Sequence, residues 1–100
     1  MGPTCEVVLD ANISPAQLDL IDAYLEAHVE ILQKTRKGRH WQGWIDERPI
    51  TISVDDATND EPPSIGLAVG CKHAEDYALL MRLSRDLAKL VGGTPTPPIK

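Results

Sequence analysis

The longest stretch of regular hydrophobic spacing lies near the end of the chain, at residues 73–91. Its recurring positions are three or four residues apart, which predicts an α-helix. These positions are Tyr77, Leu80, Met81, Ser84, Leu87, Ala88 and Val91, and the stripe is widened by Leu79, Leu83 and Leu90. Glu75 and Asp76 fall in the first turn and Lys89 in the last, as the helix dipole favours. Gly92-Gly93 is expected to end the helix.

A second helix is predicted to begin at Ser14-Pro15-Ala16-Gln17, which combines an N-cap serine, an N1 proline and a glutamine placed to complete a capping box. We expect it to continue to about Thr35, with an apolar face of Leu18, Ile21, Leu25, Val29 and Leu32. The other face carries an acidic stripe, formed by Asp19, Asp22, Glu26 and Glu30. Basic residues are expected at its C-terminal end, before a C-cap at Gly38: Lys34, Arg36 and Lys37.

Shorter apolar segments predict strands at residues 5–10, 41–45, 49–54 and 65–69. Asp46-Glu47-Arg48 is a plausible hairpin connection between the second and third. An acidic, proline-containing loop follows at residues 55–64, without hydrophobic periodicity. In the last strand, Gly66 and Ala68 share one face and leave room there for a close approach.

The resulting order, β-α-β-β-β-α, predicts a two-layer α+β fold: an antiparallel sheet of three to four strands with both helices on one face. We expect one domain at residues 1–92 and a flexible, proline-rich tail at residues 93–100. The α-β-β-β-α part resembles the order in double-stranded-RNA-binding domains and in small acidic secretion chaperones, a likeness of topology that implies no function by itself. An uncovered sheet face and the wide apolar stripe of the last helix both favour a homodimer.

Composition narrows the classes of partner. The 100 residues carry a formal net charge of −5, which disfavours nucleic acid and anionic membranes as main partners. No run approaches the roughly 18 apolar residues of a membrane span, and no charged-then-apolar leader opens the chain. We therefore expect a cytoplasmic protein whose two cysteines are reduced.

One basic cluster offers an alternative function. Lys34, Arg36, Lys37 and Arg39 lie close together in the chain, next to Trp41. Such a cluster could hold phosphate while the indole stacks on a base, which would make the protein a phosphate- or nucleic-acid-binding regulator. The simpler interpretation is that these cations decorate a helix C-terminus, where the dipole favours them.

A thiol offers a second alternative. Cys71 lies where the last strand meets the final helix, and His73 follows two residues later. A helix N-terminus and neighbouring cations can lower a thiol pKa, so Cys71 could be a nucleophile or a redox sensor. Neither a second cysteine at redox spacing nor a further pair of metal ligands completes a site. We therefore expect no cofactor and no metal.

The two tryptophans lead to the preferred hypothesis. Trp41 and Trp44 lie three apart in a strand and therefore point to opposite sheet faces, one into the core and one outward. An outward tryptophan is a typical interface anchor. The sequence thus favours a small, acidic, non-enzymatic protein–protein interaction module, such as an inhibitor, an immunity-type protein or a chaperone. Its partner would be another protein, and the acidic surface would suit a basic one. The residues expected to bind it are Trp41, Trp44, Asp19, Asp22, Glu26 and Glu30.

Overall fold

The computed structural model describes residues 4–35, 39–70 and 74–96 as an α+β fold with two helices and one antiparallel sheet. The strands are β1 (Thr4–Val8), β2 (Glu30–Thr35), β3 (His40–Ile45), β4 (Arg48–Asp55), β5 (Ser64–Val69) and β6 (Thr94–Pro95). The helices are α1 (Pro15–His28) and α2 (Ala74–Val91). The predicted fold class is confirmed, whereas the sheet has six strands instead of three to four.

The strand order across the sheet is β2-β3-β4-β5-β1-β6. β2 to β5 form a meander in chain order, and β1 is inserted between β5 and β6. In this order β1 and β2 lie four positions apart, and α1 connects them in the chain, so the chain crosses the sheet through α1. Four strands separate the two helices in the chain, so the α-β-β-β-α order is not present.

The first helix is much shorter than predicted. The capping box of Ser14 and Gln17 forms as expected, with the Gln17 amide donating to the Ser14 hydroxyl at 3.2 Å. The helix ends at His28, however, because Val29 is already extended with a φ of −112°. The following six residues instead pair with β3 as the edge strand β2. Glu30 and Lys34 therefore lie on a strand, while Arg36, Lys37 and the expected C-cap Gly38 lie outside the described residues.

Over the described residues the last helix follows the prediction and ends at Val91 as expected, and its C-terminus leads directly back to the sheet. Gly92 adopts a φ of 76°, and the amides of Gly92 and Gly93 both donate to the carbonyl of Ala88. This left-handed turn brings Thr94–Pro95 alongside β1. Part of the tail predicted at residues 93–100 thus belongs to the sheet.

The hairpin between β3 and β4 forms where it was predicted, but its turn has two residues instead of three because Arg48 already belongs to β4. Ile45 pairs with Arg48 across a turn of two residues, Asp46 and Glu47, whose φ angles are 49° and 66°. Two consecutive positive φ values match the right-handed twist of the flanking strands.

A single row of residues shows that both helices cover the same sheet face. The row crosses five strands through Lys34, Trp41, Ile52, Leu67 and Cys5. The Trp41 indole donates to Asp22 of α1, and Cys5 and Leu67 lie in the same core cluster as the buried leucines of α2. Paired residues of a sheet point to the same face, so α1 and α2 share this one.

The apolar stripe of α2 is used inside one copy of the chain. Leu79, Leu80, Leu83 and Leu87 are all buried, at no more than 8% exposure. They join Ile21 and Leu25 of α1 and the inner side chains of the sheet in one core. The width of this stripe therefore no longer argues for a dimer, and the argument from the uncovered sheet face remains.

Candidate interaction surface

The sheet face opposite the helices, here called the outer face, is covered by no other described element. Most side chains in its two central rows are small, hydroxyl or amide groups, and every residue of these rows is exposed or half-buried. One row is Gln33, Gln42, Thr51, Ala68 and Thr4, and the next is Thr35, His40, Ser53, Gly66 and Glu6. The middle of this face is therefore polar, unlike the aliphatic face beneath the helices.

A groove crosses the middle of the outer face, as the small residues of β5 predict. It encloses about 470 Å³ and is lined mainly by Thr4, Glu6, Thr51, Ser53, Gly66, Ala68 and Thr96. Thr96 closes one side: its amide and hydroxyl both donate to the carbonyl of Glu6 at 2.9 Å. The Glu6 amide in turn donates to the Thr96 hydroxyl.

One corner of the outer face is apolar. Trp44 is 42% exposed and Ile31 is 75% exposed, and together with Pro49 they line a second depression of about 330 Å³. These three residues are called the apolar corner below. Trp44 is thus the outward tryptophan that the alternation predicts. Ile31 was assigned to the first helix, so the sequence pattern did not identify it as part of a surface.

The backbone at this corner is irregular. Ile31 has a φ of 54°, a left-handed conformation that is costly for a β-branched residue. It lies in a bulge, where the register between β2 and β3 shifts between Glu30 and Gln33. Gly43 permits this path, because a Cβ there would lie 2.3 Å from Val29 Cγ1 and 2.9 Å from the Glu30 carbonyl oxygen. The bulge turns Ile31 outward beside Trp44.

Two of the predicted partner-binding residues face inward instead. Trp41 is 1% exposed, and its indole nitrogen lies 3.1 Å from one carboxylate oxygen of Asp22. The other oxygen of Asp22 lies 3.2 Å from the ammonium of Lys34. Asp22 therefore joins α1 to β2 and β3, and the partner surface proposed below includes neither Trp41 nor Asp22.

The rest of the predicted acidic stripe is exposed but divided between two elements. Asp19 and Glu26 lie on the solvent side of α1. Glu30 lies on β2 opposite Trp44, so it belongs to the outer face beside the apolar corner. The stripe was predicted on a single helix that continued to about Thr35, but α1 ends at His28, so Glu30 lies on a different element.

The predicted basic cluster is partly neutralised by ion pairs. Lys34 pairs with Asp22, and Arg39 pairs with Asp56. Arg36 and Lys37 lie outside the described residues. Both described cations of this cluster are thus paired with carboxylates, and the phosphate-binding alternative stays a prediction.

The thiol alternative also stays a prediction, because Cys71 and His73 lie outside the described residues. The described cysteine, Cys5, is buried in the core. Burial raises its pKa to about 11, a hydrogen bond with Ser84 opposes this, and the charge of Glu6 adds to it. Cys5 is therefore a neutral thiol at physiological pH. Within ranges 4–35, 39–70 and 74–96, no cluster of three metal-ligating side chains occurs.

A buried ion pair lies on the helix side of the molecule, where sequence patterns did not indicate one. Arg48, the first residue of β4, places its Nε 2.6 Å from Oδ1 of Asp76, which is fully buried in the first turn of α2. A second guanidinium nitrogen lies 3.7 Å from the exposed Glu75. The two helices are also joined to each other, because the Tyr24 hydroxyl of α1 donates to Asp86 of α2 at 2.6 Å. These contacts fix the helix layer and leave the outer face free.

Neither α1 nor the described part of α2 is long and apolar enough to cross a membrane. Searches against protein-family models, curated proteins and solved structures found no match.

Proposed function

We propose that this chain is a non-enzymatic protein–protein interaction module that binds another protein on its outer face. The observation that carries the proposal is the apolar corner, where Trp44 and Ile31 are exposed on a sheet face that no described element covers. A tryptophan beside an exposed aliphatic side chain is a frequent centre of a protein interface. The polar rows beside it match the polar, solvent-accessible rim that surrounds the apolar centre of such an interface.

Charge on the outer face indicates the chemistry of the partner. Its described residues include the carboxylates of Glu6, Glu30 and Asp55, and no lysine or arginine lies among them. These carboxylates would therefore attract a basic surface of another protein, in agreement with the net charge of −5 for the whole chain. We propose a basic protein with an apolar side chain at the centre of its contact. An inhibitor, an immunity-type protein or a dedicated chaperone would fit this description.

The size of the exposed tryptophan sets the expected energy of the contact. For a side chain of about 250 Å², 42% exposure leaves roughly 100 Å² for a partner to cover. At ~25 cal/mol per Å² this corresponds to about 2.5 kcal/mol, or roughly 70-fold in Kd. Trp44→Ser should therefore weaken the complex by one to two orders of magnitude.

Site-specific cross-linking can identify the partner. A photoreactive residue at position 44 is compared with one at position 20 in cells of the native host. Leu20 is a matched control, because its exposure of 47% is close to the 42% of Trp44 but it lies on α1. We expect one basic protein to be captured from position 44 and not from position 20.

Calorimetry with that purified protein then measures the effect of Trp44→Ser against Leu20→Ser. The proposal predicts a large loss of affinity for the first variant and almost none for the second. Equal cross-linking from both positions, or an unchanged Kd for Trp44→Ser, would refute the outer face as the binding surface.

A further inference from the structure

We infer that the outer face binds an extended, basic segment of its partner, with an apolar side chain at the apolar corner and a cationic side chain in the central groove. The inference rests on the proposed function, because it concerns the same face. To that function it adds a second contact, the charge that this contact requires and the distance between the two contacts.

The groove and the apolar corner are parts of one continuous depression. The groove extends over β4, β5 and β1, whereas the hollow at the apolar corner extends over β2, β3 and β4. Thr51 lines both, so the two hollows meet in the middle of β4. The combined depression is called the track below. A partner bound at Trp44 can therefore reach the groove along the surface of the sheet.

The groove contains oxygen acceptors that have no partner among the described residues. Glu6 contributes a carboxylate, and Thr51 and Ser53 contribute hydroxyls; none of these groups makes a hydrogen bond or an ion pair within the described part of the chain. The Glu6 carboxylate differs in this respect from that of Asp22, which already holds a lysine. Gly66 pairs with Glu6 and has no side chain, so the space beside the Glu6 carboxylate is open.

These acceptors match the head group of an arginine or a lysine. Both head groups carry a positive charge and only hydrogen-bond donors, so a carboxylate and two hydroxyls can satisfy them together. An anionic side chain would be repelled by Glu6. An apolar side chain would separate the three oxygen groups from water without replacing their hydrogen bonds, which is unfavourable. The groove therefore favours a cationic side chain.

The geometry of the sheet sets the distance between the two contacts. Trp44 pairs with Pro49, whereas Glu6 is aligned through Gly66 with Ser53, so the two contacts lie three strands and four residues apart. At about 4.8 Å per strand and about 3.3 Å per residue, their separation is about 20 Å. An extended chain covers this distance in about six residues. The segment that binds should therefore carry its apolar and cationic residues about six positions apart.

Synthetic peptides with one leucine and one arginine in a background of serine and alanine test this spacing. Both ends are blocked, so the arginine carries the only charge. Two peptides place leucine and arginine about six positions apart, one in each order, and two of identical composition place them adjacent. Nuclear magnetic resonance titration of the full chain measures each Kd. At least one widely spaced peptide should bind roughly three- to tenfold more tightly than its adjacent counterpart.

Charge variants test the role of Glu6. Glu6→Gln retains the shape of the side chain and should remove the advantage of the widely spaced peptide. Glu6→Arg should reverse the preference, so that a peptide with glutamate in place of arginine binds more tightly than the original. Glu26→Gln is the matched control, because it removes the same charge from an exposed residue of α1 and should leave every Kd unchanged.

A steric variant tests the groove without changing any charge. Ala68 lines the groove on β5, and Ala68→Ile introduces a larger side chain of a type that strands favour. It should therefore fold normally and remove the advantage of the widely spaced peptide, as Glu6→Gln does. Circular dichroism of each variant confirms that the fold is retained.

Two results would overturn the inference. One is equal affinity for both spacings in both orders, or no binding of any peptide. The other is an advantage of the wide spacing that Glu6→Gln and Ala68→Ile leave intact, which would place the cation outside the groove. Neither result contradicts selective cross-linking of a basic protein from position 44. The proposed function fails through a different observation, namely equal cross-linking from positions 44 and 20.

Discussion

Removing the guanidinium of Arg48 should destabilise the fold strongly. Arg48→Met retains most of the aliphatic stem but leaves the carboxylate of Asp76 in a site where its exposure is 0%. A buried charge that loses its counter-ion costs far more than a lost surface ion pair. The change lies at the first residue of β4, where methionine is compatible with a strand, so the effect should come from charge.

The structure limits the size of this effect. Breaking a buried ion pair typically costs about 3–5 kcal/mol. Arg48 retains 25% side-chain exposure, so water already screens its end of the pair. The N-terminus of α2 also stabilises a carboxylate in its first turn, by roughly 0.3–1 kcal/mol. Contact with Glu75 adds little, because that side chain is 72% exposed. We therefore expect a loss of about 2–3 kcal/mol in the free energy of unfolding.

Urea denaturation followed by circular dichroism measures this loss. A decrease of about 2–3 kcal/mol corresponds to a midpoint lower by roughly 1–2 M urea in a protein of this size. Arg82→Met is the control, since Arg82 is an exposed arginine of α2 that lines the same surface hollow as Arg48 and Glu75; it should change stability by less than about 0.5 kcal/mol. The double variant Arg48→Met with Asp76→Leu should regain most of the stability, because no buried charge remains. A loss below about 1 kcal/mol for Arg48→Met, or no recovery in the double variant, would refute this reasoning.

Three further changes test other parts of the structure. The free energy of unfolding should not depend on the Cys5 thiol below pH 9 and should fall between about pH 9 and 11. Burial raises the pKa of this thiol from 9.0 to about 11, so in that pH range the thiol ionises only in the unfolded chain. Urea midpoints at several pH values should show this decline, and Cys5→Ala should reduce it; an equal decline in that variant would contradict the assignment. Ile31→Gly should raise the free energy of unfolding by about 1 kcal/mol through relief of a left-handed backbone, measured by urea titration, while weakening partner binding. Gly43→Ala should lower stability by about 1–3 kcal/mol, since its Cβ would collide with Val29, and a thermal midpoint equal to that of the unmodified protein would contradict the close approach.

Local signals in the sequence were sufficient for several elements. The N-cap at Ser14, the two-residue turn after Ile45 and the glycines after α2 each determine backbone geometry within a few residues. Alternation along β3 correctly placed Trp41 and Trp44 on opposite faces. These features need no knowledge of distant parts of the chain.

Other features depend on tertiary contacts that no local pattern contains. Val29 and Leu32 continue the spacing of α1, yet residues 30–35 form a strand because β3 supplies backbone partners for them. The exposed position of Ile31 follows from that strand and its bulge, so the apolar corner could be predicted only in part. The Arg48–Asp76 pair joins residues 28 positions apart and could not be inferred from spacing at all.

The position of β1 affects the order in which the molecule can fold. Its partners are β5, about 60 residues later, and β6, at the far end of the described chain. The meander from β2 to β5 can form from neighbouring segments, whereas β1 must wait for loop closure over most of the chain. During synthesis the first strand therefore emerges long before its last partner. If another domain were fused to the N-terminus of this chain, it would emerge and fold at a stage when β1 still lacked its partner strands β5 and β6.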